Sequence, residues 1–331
     1  MQAIRHGGAL DSAIARHGGA RADWLDLSTG INPVAWPVPA LDAETWQRLP
    51  DERLMRDCLD AARDYYRVPD AAGIVAAPGT QAIIQWLPVL FNHLDRATVV
   101  SPTYGEYAQV LSAAGVGVET PAGLPDRGAN PLLVVGQPNN PDGRLWPAER
   151  LARFARGEGG ARMVIADEAF ADVTPEHSLV PLTGGPGLTV LRSFGKFFGL
   201  AGVRLGFAIG DPDVIASLSQ MIGPWAVSGP SLAIGAAALR DAAWIAATRT
   251  RLAQDSARLA ALLDRAGMRI AGRTDLFVLA EHDAAREILQ GLAERRILVR
   301  GFDYNPRWLR FGLPQREQEF VLLESALAAI C

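Results

Sequence analysis

The sequence predicts an α/β protein: a mostly parallel sheet covered by helices, followed by a smaller α+β C-terminal part. Two observations carry this. Short β-branched runs alternate with helical stretches through the middle of the chain, and continuous apolar strands of that kind belong to parallel sheets buried on both faces. Past Asp211 the texture changes to alanine-rich helices and then to short strands between helices. The composition permits one large or two medium domains: 331 residues, 49% hydrophobic and 21% charged.

The first thirty-odd residues, with Gly7-Gly8, Gly18-Gly19 and Asn32-Pro33, read as an irregular arm. Strands are expected at Gly73–Ala77, Ala97–Ser101, Gly115–Thr120, Leu132–Gly136, Met163–Asp167, Leu188–Ser193 and Val203–Ile209. Helices are expected between them at Thr80–His93, Tyr104–Ala114 and Pro147–Arg156. Beyond come helices at Asp211–Met221, Pro230–Leu239 and Thr248–Gly267. Leu276–Ala280, Ala284–Arg295, Ile297–Arg300, Trp308–Gly312 and Gln315–Ile330 then form the α+β part. The expected domains are an N-terminal arm (1–45) packing with the small domain, a large domain (46–229) and a small domain (230–331). No solenoid repeat or low-complexity tract interrupts the chain.

A net charge of −4 argues against a broad nucleic-acid footprint. Cys58 and Cys331 form no metal-ligand or redox motif, which points to a reducing cytoplasm. The N-terminal residues carry no signal-peptide core, and no apolar run is long enough to span a bilayer. A soluble protein is expected.

Of the 32 basic residues only Lys196 is a lysine. A guanidinium stays protonated, whereas an ε-amine can lose its proton and attack a carbonyl. Ser193 and Arg204 flank Lys196, so amine, hydroxyl and guanidinium together suit a cofactor with both a carbonyl and a phosphate. Gly79 and Thr80 join a strand to a helix, where phosphate is attracted; an ordinary capped turn has the same composition. Neither a P-loop nor a dinucleotide-binding glycine pattern is present. Asp167 lies where a buried strand emerges and needs a cationic partner, either a pyridinium nitrogen or a structural salt bridge. Asn140 follows another strand in a Pro-Asp-Gly turn and could reach a phenolic oxygen. Tyr104 could stack on a flat ring or serve as core.

In this order, Gly79-Thr80-Gln81, Tyr104, Asn140, Asp167, Ser193-x-x-Lys196 and Arg204, the chain resembles the pyridoxal-phosphate enzymes of the aspartate-aminotransferase fold, fold type I. The resemblance spans almost the whole chain. It implies pyridoxal 5'-phosphate as cofactor, anchored on Lys196, with Asp167 at the pyridine nitrogen, Asn140 at the ring oxygen and Tyr104 stacked on the ring. Gly79, Thr80, Gln81, Ser193 and Arg204 are implied at the phosphate. There are two departures. Phe170 stands where many relatives have a tyrosine bonding the same ring oxygen, and Leu49 stands where relatives often place a tyrosine reaching the neighbouring subunit's cofactor.

His6-Gly7-Gly8, the Gly30-Ile31-Asn32 segment and Phe170 together resemble the L-threonine-O-3-phosphate decarboxylases of cobalamin biosynthesis, relatives of histidinol-phosphate aminotransferases. That resemblance implies His6, Gly7, Gly8 and Arg300 at a substrate phosphate. It implies Gly30, Ile31, Asn32 and Arg310 at a carboxylate. A phosphorylated amino acid is then the small-molecule partner, in a cytoplasmic homodimer with no nucleic acid, membrane or metal. The alternative is an aminotransferase acting on a phosphorylated substrate such as histidinol phosphate. A non-catalytic effector domain of a transcription regulator is a third reading, disfavoured because the arm before Asp51 leaves no room for a winged helix.

Overall fold

The structure is a computed structural model, describing residues 7–126, 130–158 and 161–331. In chain order its first elements are α1 (Leu10–His17), β1 (Leu25–Asp26), α2 (Ala43–Gln47), α3 (Glu52–Tyr66), β2 (Gly73–Ala77), α4 (Thr80–Leu90), β3 (Arg96–Val99), α5 (Glu106–Ala113) and β4 (Gly117–Glu119). Next come β5 (Leu132–Gly136), α6 (Ala148–Ala155), β6 (Met163–Asp167), β7 (Leu188–Ser193), α7 (Phe194–Phe197), β8 (Gly206–Gly210), α8 (Pro212–Ile222), α9 (Gly229–Arg240) and α10 (Ala242–Arg265). The chain ends with β9 (Arg269–Thr274), β10 (Phe277–Glu281), α11 (Ala285–Glu294), β11 (Ile297–Leu298), β12 (Arg300–Phe302), β13 (Asn305–Gly312) and α12 (Glu317–Ala328).

Two compact units emerge. The larger comprises 36–140 and 144–245; the smaller comprises the residues up to Ala35, Pro141–Gly143 and Ala246–Cys331. Their borders differ from the expected 45/46 and 229/230. Helix α9 packs along α3, and a side chain at Gly235 would collide with Leu205 while touching Cys58, so α9 belongs with the larger unit.

The larger unit is built on a seven-stranded sheet in the order β2-β8-β7-β6-β5-β3-β4. Every neighbouring pair is parallel except those of β8, which runs antiparallel to both β2 and β7. Strand β5 is buried along its whole length, which is why it reads as an unbroken apolar run, and β7 is buried up to Ser193 although it carries Thr189 and Arg192. The carboxyl ends of β2, β3, β5, β6 and β7 share one edge, where open α/β sheets bind ligands. The loop entering β8 reaches the same edge. The expected strand at Val203–Ile209 begins only at Gly206: Ala201–Val203 forms a tight helical turn and Arg204 adopts a left-handed backbone (φ 55°, ψ 59°).

The smaller unit has an antiparallel sheet, β12-β13-β10-β9, and a parallel pair, β1 with β11, with α11 packed on β13 and β11. The expected strand Ile297–Arg300 is two strands in two sheets. The N-terminal arm, expected to be irregular, contains α1.

Candidate active site

At the carboxyl edge of the large sheet lies a cavity. Its lining includes Gly79, Thr80, Gln81, Tyr104, Asn140, Asp167, Ser193, Lys196 and Arg204, all nine residues expected from sequence.

One corner is shaped for an anion. Thr80 opens α4, whose first backbone N–H groups have no partner within the helix, and Gly79 precedes it at φ 82°. A Cβ at Gly79 would lie 2.5 Å from Nη2 of Arg204 and would push the guanidinium away, so glycine there lets it approach the corner. Arg204 is aimed by its left-handed backbone and by donating from Nη1 to the Ala201 carbonyl at 3.2 Å. The Gln81 side chain is engaged elsewhere: Nε2 donates to Glu106 Oε2 at 2.7 Å, and Oε1 accepts from the Tyr104 hydroxyl at 3.0 Å. An anion is therefore offered the backbone of Gln81, while its amide orients Tyr104. Burial, followed by the charges of Glu106 and Asp167, pushes the Tyr104 hydroxyl up to about 12, so it stays protonated.

The floor carries charge. Asp167 ends β6 and accepts the Ala169 N–H on Oδ1 at 3.0 Å. Burial raises its pKa, while the Tyr107 hydroxyl, the Ala169 N–H and the Lys196 charge oppose that rise. Such a carboxylate favours a cationic partner. Ser193 ends β7, and one helical turn, α7, lifts Lys196 into the cavity. Its Nζ lies 5.7 Å from the centre of the Phe170 ring. Of the paired asparagines, Asn139 is structural, donating Nδ2 to the Pro102 carbonyl at 2.9 Å, and Asn140 faces the cavity.

A primary amine, a buried carboxylate and a glycine-backed anion corner fit pyridoxal phosphate: aldehyde, pyridine nitrogen and phosphate each meet a matching group. Sequence reasoning missed Tyr107, whose hydroxyl faces Asp167. Its place three residues after Tyr104 was the available signal.

The expected substrate residues that the structure describes lie in the smaller unit. His6 is outside the described residues. Gly8 donates its N–H to Ser28 Oγ at 2.7 Å, so that donor is already committed. Arg310 donates from Nη2 to the Ser28 carbonyl at 3.1 Å, which brings Gly7-Gly8, the loop leading to Gly30 and Ile31, and β13 to one place. Asn32 Oδ1 accepts from Arg251 Nη2 at 2.7 Å and from the Val34 N–H at 3.0 Å. Arg300 stands directly opposite Arg310 across the β12–β13 ladder. Burial, then this like charge, lowers the Arg310 pKa to about 10. Two guanidinium groups facing each other in that way suit an anion.

The family model for aminotransferase class I and II matches residues 22–325. A curated protein of Sinorhizobium sp., threonine-phosphate decarboxylase, is 47% identical over 314 residues, covering 94% of this chain and 93% of its own. A protein of the same name from Pseudomonas aeruginosa is 41% identical over 328 residues, covering 98% and 97%. Among solved structures, histidinol-phosphate aminotransferase from Sinorhizobium meliloti, in complex with pyridoxal-5'-phosphate, shares the fold. Its TM-score is 0.82 at 21% identity, covering 99% of this chain and 95% of that one.

Proposed function

The chain belongs to the aminotransferase class I and II family, and from that premise we propose that it is a pyridoxal-phosphate-dependent decarboxylase of L-threonine O-3-phosphate. The products are carbon dioxide and (R)-1-aminopropan-2-yl phosphate. The observation that carries the reading is the cavity itself, with Lys196, Asp167 and the Gly79–Arg204 anion corner on one sheet edge. It is joined by similarity over nearly the whole chain to two curated decarboxylases.

Lys196 is the covalent anchor of the cofactor aldehyde. When bound, pyridoxal phosphate supplies an aldehyde for the substrate amine and a ring that accepts the electron pair left by a bond broken at Cα. Asp167 would set its negative charge against the ring nitrogen, Asn140 would donate to the ring oxygen, and Tyr104 would lie against the ring. Thr80, the Gln81 backbone, Ser193 and Arg204 hold the phosphate dianion. Arg310 and the Gly30–Asn32 loop bind the substrate carboxylate, and Arg300 with the His6-Gly7-Gly8 segment binds its phosphate.

These contacts would select the reaction by orientation, deciding which Cα bond the cofactor can help to break. With the carboxylate so oriented, carbon dioxide would leave and Lys196 Nζ would return a proton to Cα. With the Cα–H so oriented instead, the same amine would act as a base in transamination. Incubation with L-threonine O-3-phosphate separates the two. Release of carbon dioxide with the absorbance of bound cofactor retained supports decarboxylation. Accumulation of pyridoxamine phosphate without carbon dioxide overturns it in favour of an aminotransferase.

The product suits cobalamin biosynthesis in the cytoplasm. Cys58 and Cys331 are free thiols, and among the described residues no helix is long and apolar enough to cross a membrane. A homodimer is supported by exposed Trp46, Leu49 and Trp225 on the larger unit, with relative exposures of 66%, 66% and 59%. Sedimentation of the purified protein tests that assembly.

A further inference from the structure

Directly behind the cavity lies a cluster of buried charges that the proposed reaction does not use. Arg192 Nη1 meets Glu168 Oε2 at 2.6 Å and its Nη2 meets Asp172 Oδ1 at 2.9 Å. The side chains of all three are at most 2% exposed. The guanidinium also sits 4.4 Å above the ring of Tyr66, in α3. Glu168 is held further by the Ser178 hydroxyl at 2.6 Å and the Leu179 N–H at 2.5 Å.

Such a cluster is a poor device for stability. Removing charges from water costs several kcal/mol per ion, and well-packed apolar residues often serve as well. Its position in the sequence suggests another role. Glu168 follows Asp167 at the end of β6, and Arg192 precedes Ser193 at the end of β7. Side chains alternate across a sheet, so adjacent residues face opposite sides. Asp167 and Ser193 line the cavity, while Glu168 and Arg192 are joined on the reverse face. The backbone repeats the link: the Glu168 N–H donates to the Leu191 carbonyl at 2.9 Å.

We infer that Arg192, through Glu168 and Asp172, is a positioning residue: the rear ion pairs hold the ends of β6 and β7 at the separation that places Asp167 against the cofactor ring nitrogen while Ser193 and Lys196 meet its phosphate and aldehyde. The two ends carry groups for opposite parts of one rigid molecule. A shift between them of a fraction of an ångström weakens both contacts together. Arginine is needed because its planar fork serves two carboxylates at once, whereas an ammonium is a single point. The inference rests on pyridoxal phosphate being the cofactor.

The test uses the full chain as apoprotein and titrates it with pyridoxal phosphate, following the near-visible absorbance and its pH dependence alongside thermal unfolding. In the variant Glu168→Gln/Asp172→Leu/Arg192→Met the charges are removed together, so none is left buried alone, and the glutamine oxygen still accepts the Leu179 N–H. Expected is an unfolding midpoint near that of the parent, with cofactor affinity at least tenfold weaker and an altered absorbance–pH profile. Arg192→Lys keeps the charge but loses the fork. It should weaken the cofactor severalfold while remaining folded, and it decides the matter if the triple variant does not fold. Parental affinity and an unchanged profile in either folded variant overturn the inference. If the parent protein itself takes up no cofactor, the proposed function fails instead.

Discussion

Replacing Gly79 by alanine acts on two quantities that can be measured apart. The residue sits at φ 82°, ψ 158°, a backbone region open almost only to glycine, so alanine costs the fold about 1–3 kcal/mol. Its Cβ would also stand 2.5 Å from Arg204 Nη2, where ordinary contact begins near 3.4 Å, so the guanidinium must retreat by most of an ångström. A charge-assisted hydrogen bond to a phosphate is worth about 1.5–3 kcal/mol, and the exposure of Arg204 reduces this to about 1–2 kcal/mol. The cofactor should therefore bind roughly 5- to 30-fold more weakly. Thermal unfolding without ligand reads the backbone cost as a midpoint lowered by a few degrees, and titration of apoprotein with pyridoxal phosphate reads the rest. An alanine variant that binds the cofactor as tightly as the parent refutes the assignment of this corner to the phosphate.

Other outcomes follow from the same geometry. Arg310→Lys should raise KM for threonine phosphate by about tenfold or more, with the cofactor absorbance unchanged, because an ammonium cannot keep Ser28 and also grip a carboxylate bidentately. In the free enzyme Arg310 titrates near 10, so kcat/KM should fall as pH climbs through that value, where an ordinary arginine would stay charged. A bound anion favours the charged form, so kcat should decline only at higher pH; coincident profiles would count against Arg310 as a substrate contact. Phe170→Tyr places a hydroxyl near the Lys196 amine, whose Nζ lies 5.7 Å from the ring centre. It should lower kcat severalfold and leave KM alone, and an unchanged kcat in steady-state kinetics would show that the added hydroxyl does not disturb the Lys196 amine.

Strands β2, β5 and β6 have the bounds their apolar runs announce, and β7 has its expected bounds although Thr189 and Arg192 interrupt its apolar run. Lys196, Asp167 and Gly79 stood out in the sequence as residue types whose chemistry or backbone is hard to replace, each at or just past a strand end, and all three line one cavity. Helix α3 is absent from the expected elements although the sequence carries its signal: Asp51 caps it, accepting the Leu54 N–H, and Cys58, Ala61, Ala62 and Tyr66 form a buried stripe at helical spacing. Side-chain destinations were hidden. Gln81 reads as a phosphate ligand until Glu106 and Tyr104 are seen to occupy its amide. Glu168 and Arg192 read as ordinary neighbours of functional residues until the sheet pairs them on its rear face. Both depend on which residues distant in sequence become neighbours in space.

The central claim, a covalent link between the Lys196 amine and an aldehyde cofactor, can be tested by borohydride reduction of the protein loaded with pyridoxal phosphate, followed by peptide mass spectrometry. The account predicts one pyridoxyl group, on the peptide containing Lys196, and none in Lys196→Arg. A protein that yields no pyridoxyl-modified Lys196 peptide contradicts it.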